Sequence, residues 1–269
     1  MPRLSLPVGR GAAAIAILLP VLATAQDRND AAVQANNPLA NVSAFNIHNY
    51  YIGDLTEIDR PGNQTWLRYA RPLQIGRSNW LTRTSLPLNG YPTLDASGDR
   101  GREFGLGDLN AFATYVIDTG NPALSFGIGP QITIPTATDD ALGAGKWSLG
   151  LSNVLFNASS KVFQWGYLLG WQASVAGDDN RDDVNLGTFQ PFLMYQLGQG
   201  WYLRSTGTWS YDFEHDYYAI PIGLGVGKVI PTPKVTYNAF IEPQYSVDTK
   251  GPGQPEWQIF AGFNMQFTE

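Results

Sequence analysis

The feature that most constrains this chain is a two-residue alternation of apolar and polar side chains that returns, segment after segment, from about residue 44 to residue 268. In 123–135, Leu124, Phe126, Ile128, Ile132 and Ile134 fall on one face, and Ser125, Gly127, Gly129, Gln131 and Thr133 on the other. In 163–175, Phe163, Trp165, Tyr167, Leu169, Trp171 and Val175 alternate with Gln164, Gly166, Gly170, Gln172 and Ser174. Val235, Tyr237, Ala239, Ile241, Tyr245 and Val247 oppose Thr236, Asn238, Glu242, Gln244 and Ser246; Trp257, Ile259, Ala261, Phe263, Met265 and Phe267 oppose Gln258, Gly262, Asn264 and Gln266. Successive side chains of an extended backbone point to opposite sides, so a period of two marks a strand with unlike faces. The segments are 44–52, 65–75, 78–89, 106–118, 122–135, 146–157, 162–176, 184–197, 201–213, 217–230, 234–247 and 256–268.

The connections carry the architecture. Short ones sit at Gly76-Arg77, Thr119-Gly120-Asn121, Ala158-Ser159-Ser160, Gly198-Gln199-Gly200 and Pro231-Thr232-Pro233. Longer polar ones are 53–64, 90–105, 136–145, 177–183, 214–216 and 248–255, and the two kinds alternate along the chain. Outer-membrane barrels have an even number of antiparallel strands, short periplasmic turns and longer outer loops. The expected fold is therefore all-β: a transmembrane antiparallel β-barrel of about 12 strands, outer-membrane type, with 44–52 closing on 256–268. Both chain ends then fall in the periplasm, and 90–105, 136–145 and 177–183 lie outside the cell. A secreted β-sandwich is the soluble rival, but it needs no bulky aromatics at the strand ends. Trp66, Trp80, Tyr115, Trp147, Trp165, Trp201, Tyr218, Tyr237 and Trp257 lie there, as interfacial girdles require.

Composition narrows the function classes. Charged residues are 15 %, against roughly 25 % in soluble domains. There is no cysteine, which excludes disulfides, iron–sulfur clusters and thiolate zinc sites. The two histidines, His48 and His215, cannot build a multi-histidine metal site, and no cofactor is implied. A formal charge of −6 without a basic cluster leaves no nucleic-acid footprint. Residues 1–25 read as a secretory signal peptide: Arg3 and Arg10, the apolar run Ala12 to Leu22, then Ala23-Thr24-Ala25. Residues 26–43 read as a flexible periplasmic lead-in and 44–269 as the barrel domain.

Several runs are familiar. Asn46-Ile47-His48-Asn49-Tyr50-Tyr51, Trp66-Leu67-Arg68-Tyr69-Ala70, Gly105-Leu106-Gly107-Asp108-Leu109-Asn110 and Gly127-Ile128-Gly129-Pro130-Gln131 resemble a bacterial family. So do Pro135-Thr136-Ala137-Thr138, Gly145-Lys146-Trp147, Ala176-Gly177-Asp178 and Gln190-Pro191-Phe192. The family is that of outer-membrane transporters filed under the meta-pathway of phenol degradation, some of which carry the label "neuromedin U". The resemblance covers most of the chain after residue 43. It implies a barrel that passes small compounds, aromatic ones among them, and it assigns no catalytic or ligand residues.

Local motifs point elsewhere only weakly. Gly223-Leu224-Gly225-Val226-Gly227-Lys228 lacks the helix and the following Ser or Thr of a phosphate loop. Asp178-Asp179-Asn180-Arg181-Asp182-Asp183 lacks the spacing and central glycine of a calcium loop. Asp212-Phe213-Glu214-His215-Asp216 places an imidazole among acids, a water-activating chemistry only if a second acidic pair faces it. His48 reads as a lumen hydrogen-bonding residue.

The inward phase is more informative. Alternation turns Arg68, Arg83, Asp108, Lys146, Arg204, Asp212, Glu242 and Glu256 inward, with Asn110, Gln131, Gln164, Gln172, Gln190, Gln244 and Gln258. Arg or Lys on the lipid face costs about 2–4 kcal/mol near the midplane, so the lumen is enforced. Arg68, Arg83, Asp108, Arg204, Glu242 and Glu256 are the constriction candidates, expected to pair across the waist with balanced sign. Twelve strands about 4.8 Å apart, tilted about 40°, give a backbone radius of roughly 12 Å, enough for one small molecule at a time. The expected function is passive passage of small solutes. The alternatives are an outer-membrane enzyme using the His215 cluster, or a structural or adhesive barrel with a closed lumen. Expected partners are outer-membrane lipid and lipopolysaccharide, a small-molecule solute and the barrel-assembly machinery.

Overall fold

A computed structural model of the chain describes residues 31–94 and 100–267; the segment expected to be a signal peptide, 1–25, lies outside the described residues. The strands are β1 Ser43–Leu55, β2 Gly62–Ile75, β3 Ser78–Leu94, β4 Arg100–Leu106 with Leu109–Ile117, β5 Leu124–Ile134 and β6 Lys146–Asn157. The second half holds β7 Phe163–Gly177, β8 Asn185–Gly198, β9 Trp201–Ser205 with Trp209–Asp212, β10 Tyr217–Gly223 with Gly225–Pro231, β11 Val235–Lys250 and β12 Pro255–Phe267. Every strand pairs antiparallel with its neighbours in sequence, and β1 closes on β12 from Ser43↔Phe267 to Leu55↔Pro255. The sheet has no free edge, as a spanning sheet must not.

The short connections are tight because their residues allow it. Gly198, Gln199 and Gly200 all have positive φ (96°, 52° and 81°), and a Cβ on Gly200 would run into the Val229 carbonyl oxygen. At the opposite end the connections are longer, with one difference from expectation. Much of 90–105 is ladder rather than loop: β3 and β4 stay paired from Leu88↔Leu106 to Leu94↔Arg100.

The outer face is apolar. Leu149, Leu151, Leu169, Leu193, Ile230 and Ile241 are exposed there. Trp80, Tyr115, Trp165, Tyr195 and Trp201 ring the short-turn end, and Tyr51, Trp147, Trp171, Trp209, Tyr245 and Trp257 ring the long-loop end. Such a surface is matched to a bilayer bounded by two aromatic belts. Trp66 is the exception among the expected girdle residues. It pairs in register with His48 and faces the lumen, where Nε1 donates to Gln64 Oε1 at 2.8 Å.

Two interruptions shape the interior. In β9, 206–208 leave the ladder while the register holds: Ser205 faces Leu193 and Trp209 faces Phe189, so Gly207 faces Pro191 across the gap. On the other side, Arg204 faces Gly225 and Ser210 faces Ala219, which sets Thr208 against Pro221. Proline has no N–H to give, and here one stands on each flank. In β4 the break falls at Gly107-Asp108.

Residues 31–42 occupy the lumen at its short-turn end. Residues 31–35 are helical. Ala32 and Ala35 pack with Phe156, Phe192, Met194, Tyr202 and Val229, and Leu39 packs with Leu81 and Val154. Asn37 Nδ2 donates to Ser125 Oγ (3.0 Å), Asn238 Nδ2 to Asn36 Oδ1 (3.1 Å) and Gln266 Nε2 to the Ala35 carbonyl (3.2 Å). The stretch expected to be a flexible lead-in is thus packed wherever it is described. The barrel supplies the apolar surface that this small, alanine-bearing segment cannot make for itself.

Candidate functional site

Above that segment the lumen opens into a cavity of about 850 Å³ that runs toward the long-loop end. Its floor is laid by adjacent strands. Arg68 on β2 opposes Ser85 on β3, and Ala70 opposes Arg83, so both arginines rise from the inward face of neighbouring strands, two positions apart. Both line the cavity. Arg68 Nη1 lies 2.7 Å from His48 Nδ1, and His48 Nε2 lies 2.7 Å from Asn264 Oδ1. A guanidinium can only donate. Nδ1 is therefore the bare acceptor, and the proton sits on Nε2, donated to Asn264. The Arg68 guanidinium also stands 4.9 Å from the Trp66 ring centre, and that of Arg83 stands 4.3 Å from the centre of Phe112.

Arg204 and Glu242 form a separate knot. Arg204 Nε donates to Glu242 Oε2 at 2.8 Å, and the carboxylate is fully buried. Glu242 also accepts from the Thr206 hydroxyl (2.8 Å), the Thr206 amide (2.7 Å) and Gln244 Nε2 (2.9 Å). The Thr206 amide is one that the interrupted β9 ladder leaves unpaired, so Glu242 replaces a missing backbone carbonyl. Gln190 Nε2 does the reverse, donating to the Thr206 carbonyl at 3.0 Å. The Arg204 guanidinium lies 3.4 Å from the Phe240 ring centre, and Phe240 packs edge-on to Phe260. Tyr50 stacks on Phe260 at 4.2 Å.

Asp108 serves the mouth instead of the waist. Its Oδ1 accepts from the amides of Thr136 and Ala137 (3.1 Å each) and its Oδ2 from that of Ala144 (2.7 Å). These bonds fold 135–145 inward, where Leu142 is buried and its carbonyl accepts from Asn89 Nδ2 at 3.0 Å. The 178–184 loop is laced to the same edge. Arg181 pairs with Asp140 at 3.3 Å, and Lys146 with Asp183 at 3.1 Å. The hydrogen bond from Lys146 holds the Asp183 carboxyl below its ordinary range. His215 Nδ1 lies 2.8 Å from Asp212 and Nε2 lies 3.6 Å from Asp182. The Asp212 hydrogen bond raises the imidazole above its ordinary pKa.

The six constriction candidates are thus not brought together as one paired ring. Arg68 and Arg83 stand on the cavity floor, Arg204 and Glu242 bind each other, and Asp108 ties a loop. Glu256 lies exposed at the loop end of β12, outside the cavity lining. There β1 shifts register, with Asp54 facing Trp257 and Leu55 facing Pro255, so Glu256 has no β1 partner. The balance of sign expected at the waist does not hold: of the three candidate carboxylates, Asp108 and Glu242 are consumed locally and Glu256 stays outside the cavity lining. The inward aromatics Trp66, Phe112, Phe240 and Phe260 were not anticipated, although all four share the phase of inward polar residues. The acidic loop 178–183 spends Asp182 and Asp183 on His215 and Lys146, and no cluster of three or more metal-ligating side chains occurs among the described residues. Residues 225–231 are strand, not a phosphate loop.

No family model matches the chain, and no curated protein matches it by sequence. Among solved structures it is similar to an outer membrane channel from Pseudomonas putida F1, with a TM-score of 0.62 and 13 % identity over 86 % of this chain and 98 % of that one. It is also similar to the NanC porin, with a TM-score of 0.53 and 12 % identity over 84 % of this chain and 100 % of that one. At such identities the likeness is one of fold: the chain is a closed twelve-strand barrel of the outer-membrane type.

Proposed function

We propose that this protein is a passive outer-membrane channel for small solutes, as its resemblance to transporters of the phenol meta-pathway family implies. The observation that carries the reading is the cavity of about 850 Å³, walled by a closed sheet and lined by polar side chains such as Gln131, Gln172 and Gln258. A path of that kind needs no energy source, since a gradient drives flow through it. Residues 31–42 set the narrow end. The chain's surroundings are outer-membrane lipid and lipopolysaccharide, reached through the barrel-assembly machinery.

The enzyme reading has less support. A general base needs a ring nitrogen free to take a proton from water or a hydroxyl. Both nitrogens of His215 face carboxylates, and both nitrogens of His48 are engaged by Arg68 and Asn264. The closed, structural reading is favoured by the packed 31–42 segment and is decided by the same experiment. Reconstitution in planar bilayers is expected to give stepwise current. Absence of any current from protein shown to be inserted and folded refutes the channel.

A further inference from the structure

We infer that Arg68 and Arg83 form a binding site for a small carboxylate with an apolar body. The inference names the solute class of the lumen read above as a path. Three arginines reach the interior; Glu242 neutralises Arg204, and the carboxylates that could neutralise Arg68 and Arg83 are engaged elsewhere. Glu242 is held by Arg204 and Thr206, Asp108 by three backbone amides, and the two further aspartates that line the cavity, Asp183 and Asp212, by Lys146 and His215. His48 meets Arg68 as a neutral ring and brings no charge. Nε of Arg68 and Nε of Arg83 are buried without a hydrogen-bond partner, and the contact seen for the Arg83 guanidinium, among the described residues, is the Phe112 ring.

Two uncompensated guanidinium groups facing one cavity are expensive unless an anion completes them. Their forked donors match the two oxygens of a carboxylate. The walls next to them set the rest of the molecule. Tyr50, Trp66, Pro87, Phe112 and Leu168 line the same cavity and offer apolar surface beside the charge. A ligand with a charged end and an apolar body satisfies both, whereas a bare inorganic anion leaves the walls wet and a neutral hydrocarbon leaves the arginines unpaired.

The test is calorimetric titration of the detergent-solubilised full chain with benzoate, hexanoate, benzyl alcohol and inorganic phosphate, repeated by following the fluorescence of Trp66 and its neighbours. Benzoate and hexanoate are expected to bind at least 10-fold more tightly than the other two. Arg68→Gln with Arg83→Gln is expected to remove that preference, Arg83→Lys to weaken it, and Glu256→Gln to leave it intact. Thermal unfolding identifies any variant that has lost the barrel, in which case Arg83→Lys alone carries the comparison. Benzyl alcohol or phosphate binding as tightly as benzoate overturns the inference, and so does a folded double variant, or a folded Arg83→Lys, that binds as the wild type does. Benzoate binding by a barrel that never conducts sinks the channel and leaves this site standing. Conductance without benzoate binding does the opposite.

Discussion

Glu242→Ala is the most demanding perturbation of the interior. The carboxylate is fully buried and receives Arg204 Nε, the Thr206 hydroxyl, the Thr206 amide and Gln244 Nε2 at 2.7–2.9 Å. Its removal strands the Arg204 charge and returns the Thr206 amide to the orphan state in which the β9 interruption leaves it. Breaking one side of a buried pair costs about 3–5 kcal/mol, and the amide penalty of about 1–3 kcal/mol overlaps with it. A net loss of about 4 kcal/mol is roughly a thousandfold in the folding equilibrium. With a urea m-value of about 2–3 kcal/mol/M, the unfolding midpoint falls by about 1–2 M. Glu242→Gln keeps an oxygen for the Thr206 amide while giving up the ion pair, and is expected to lose about half as much. Urea unfolding in lipid vesicles, followed by tryptophan fluorescence, measures both. A Glu242→Ala midpoint within about 0.2 M of wild type refutes the view that this side chain completes the wall.

Three further outcomes are expected. The His215 pKa is raised by its bond to Asp212, so the contribution of the clasp between 178–184 and 213–216 is fully present below the unfolded imidazole value, about 6.5. It is lost as pH rises through the higher folded value; the protection of the 178–184 amides, taken relative to the intrinsic exchange rate at each pH, should therefore fall on the alkaline side, and protection independent of pH refutes the clasp. Protease added to whole cells should cut within 178–184 and spare Gly198-Gln199-Gly200, the reverse pattern inverting the topology. Deleting 31–42 should raise single-channel conductance at least twofold, because it empties the short-turn end of the lumen; unchanged current shows that the segment does not obstruct the path.

The barrel was legible because lipid punishes a wrong face. Each strand has to keep its phase for its full length, so the sequence alone assigns residues such as Ile128 and Gln131 to opposite faces. Trp66 was readable by the same rule, since it lies two residues from Arg68 and must share its side. Its bulk drew it into the girdle instead. Phe240 and Phe260 are harder to read, because the alternation pattern marks an inner face by its polar residues and gives no sign of aromatics among them. Partner choice was the hidden part. Parity sends Asp108 and Glu242 inward, but what they bind is decided by backbone faults at Gly107 and between Pro191 and Pro221. Residues 31–42 carry no period at all, for a segment surrounded by barrel wall has no solvent side to mark.

The inner segment joins β1 directly at Ser43, and this tether changes what its packing must achieve. A short covalent link confers an effective concentration of about 1 mM at the binding surface. An intrinsic dissociation constant as weak as about 10 μM then keeps the segment seated about 99 % of the time. Three hydrogen bonds, three buried alanines and one buried leucine are sufficient for that, and tighter packing would serve only to slow release. Attachment to the strand lets a loosely held stopper behave as a permanent one at rest, yet yield to a modest competing force and return without searching.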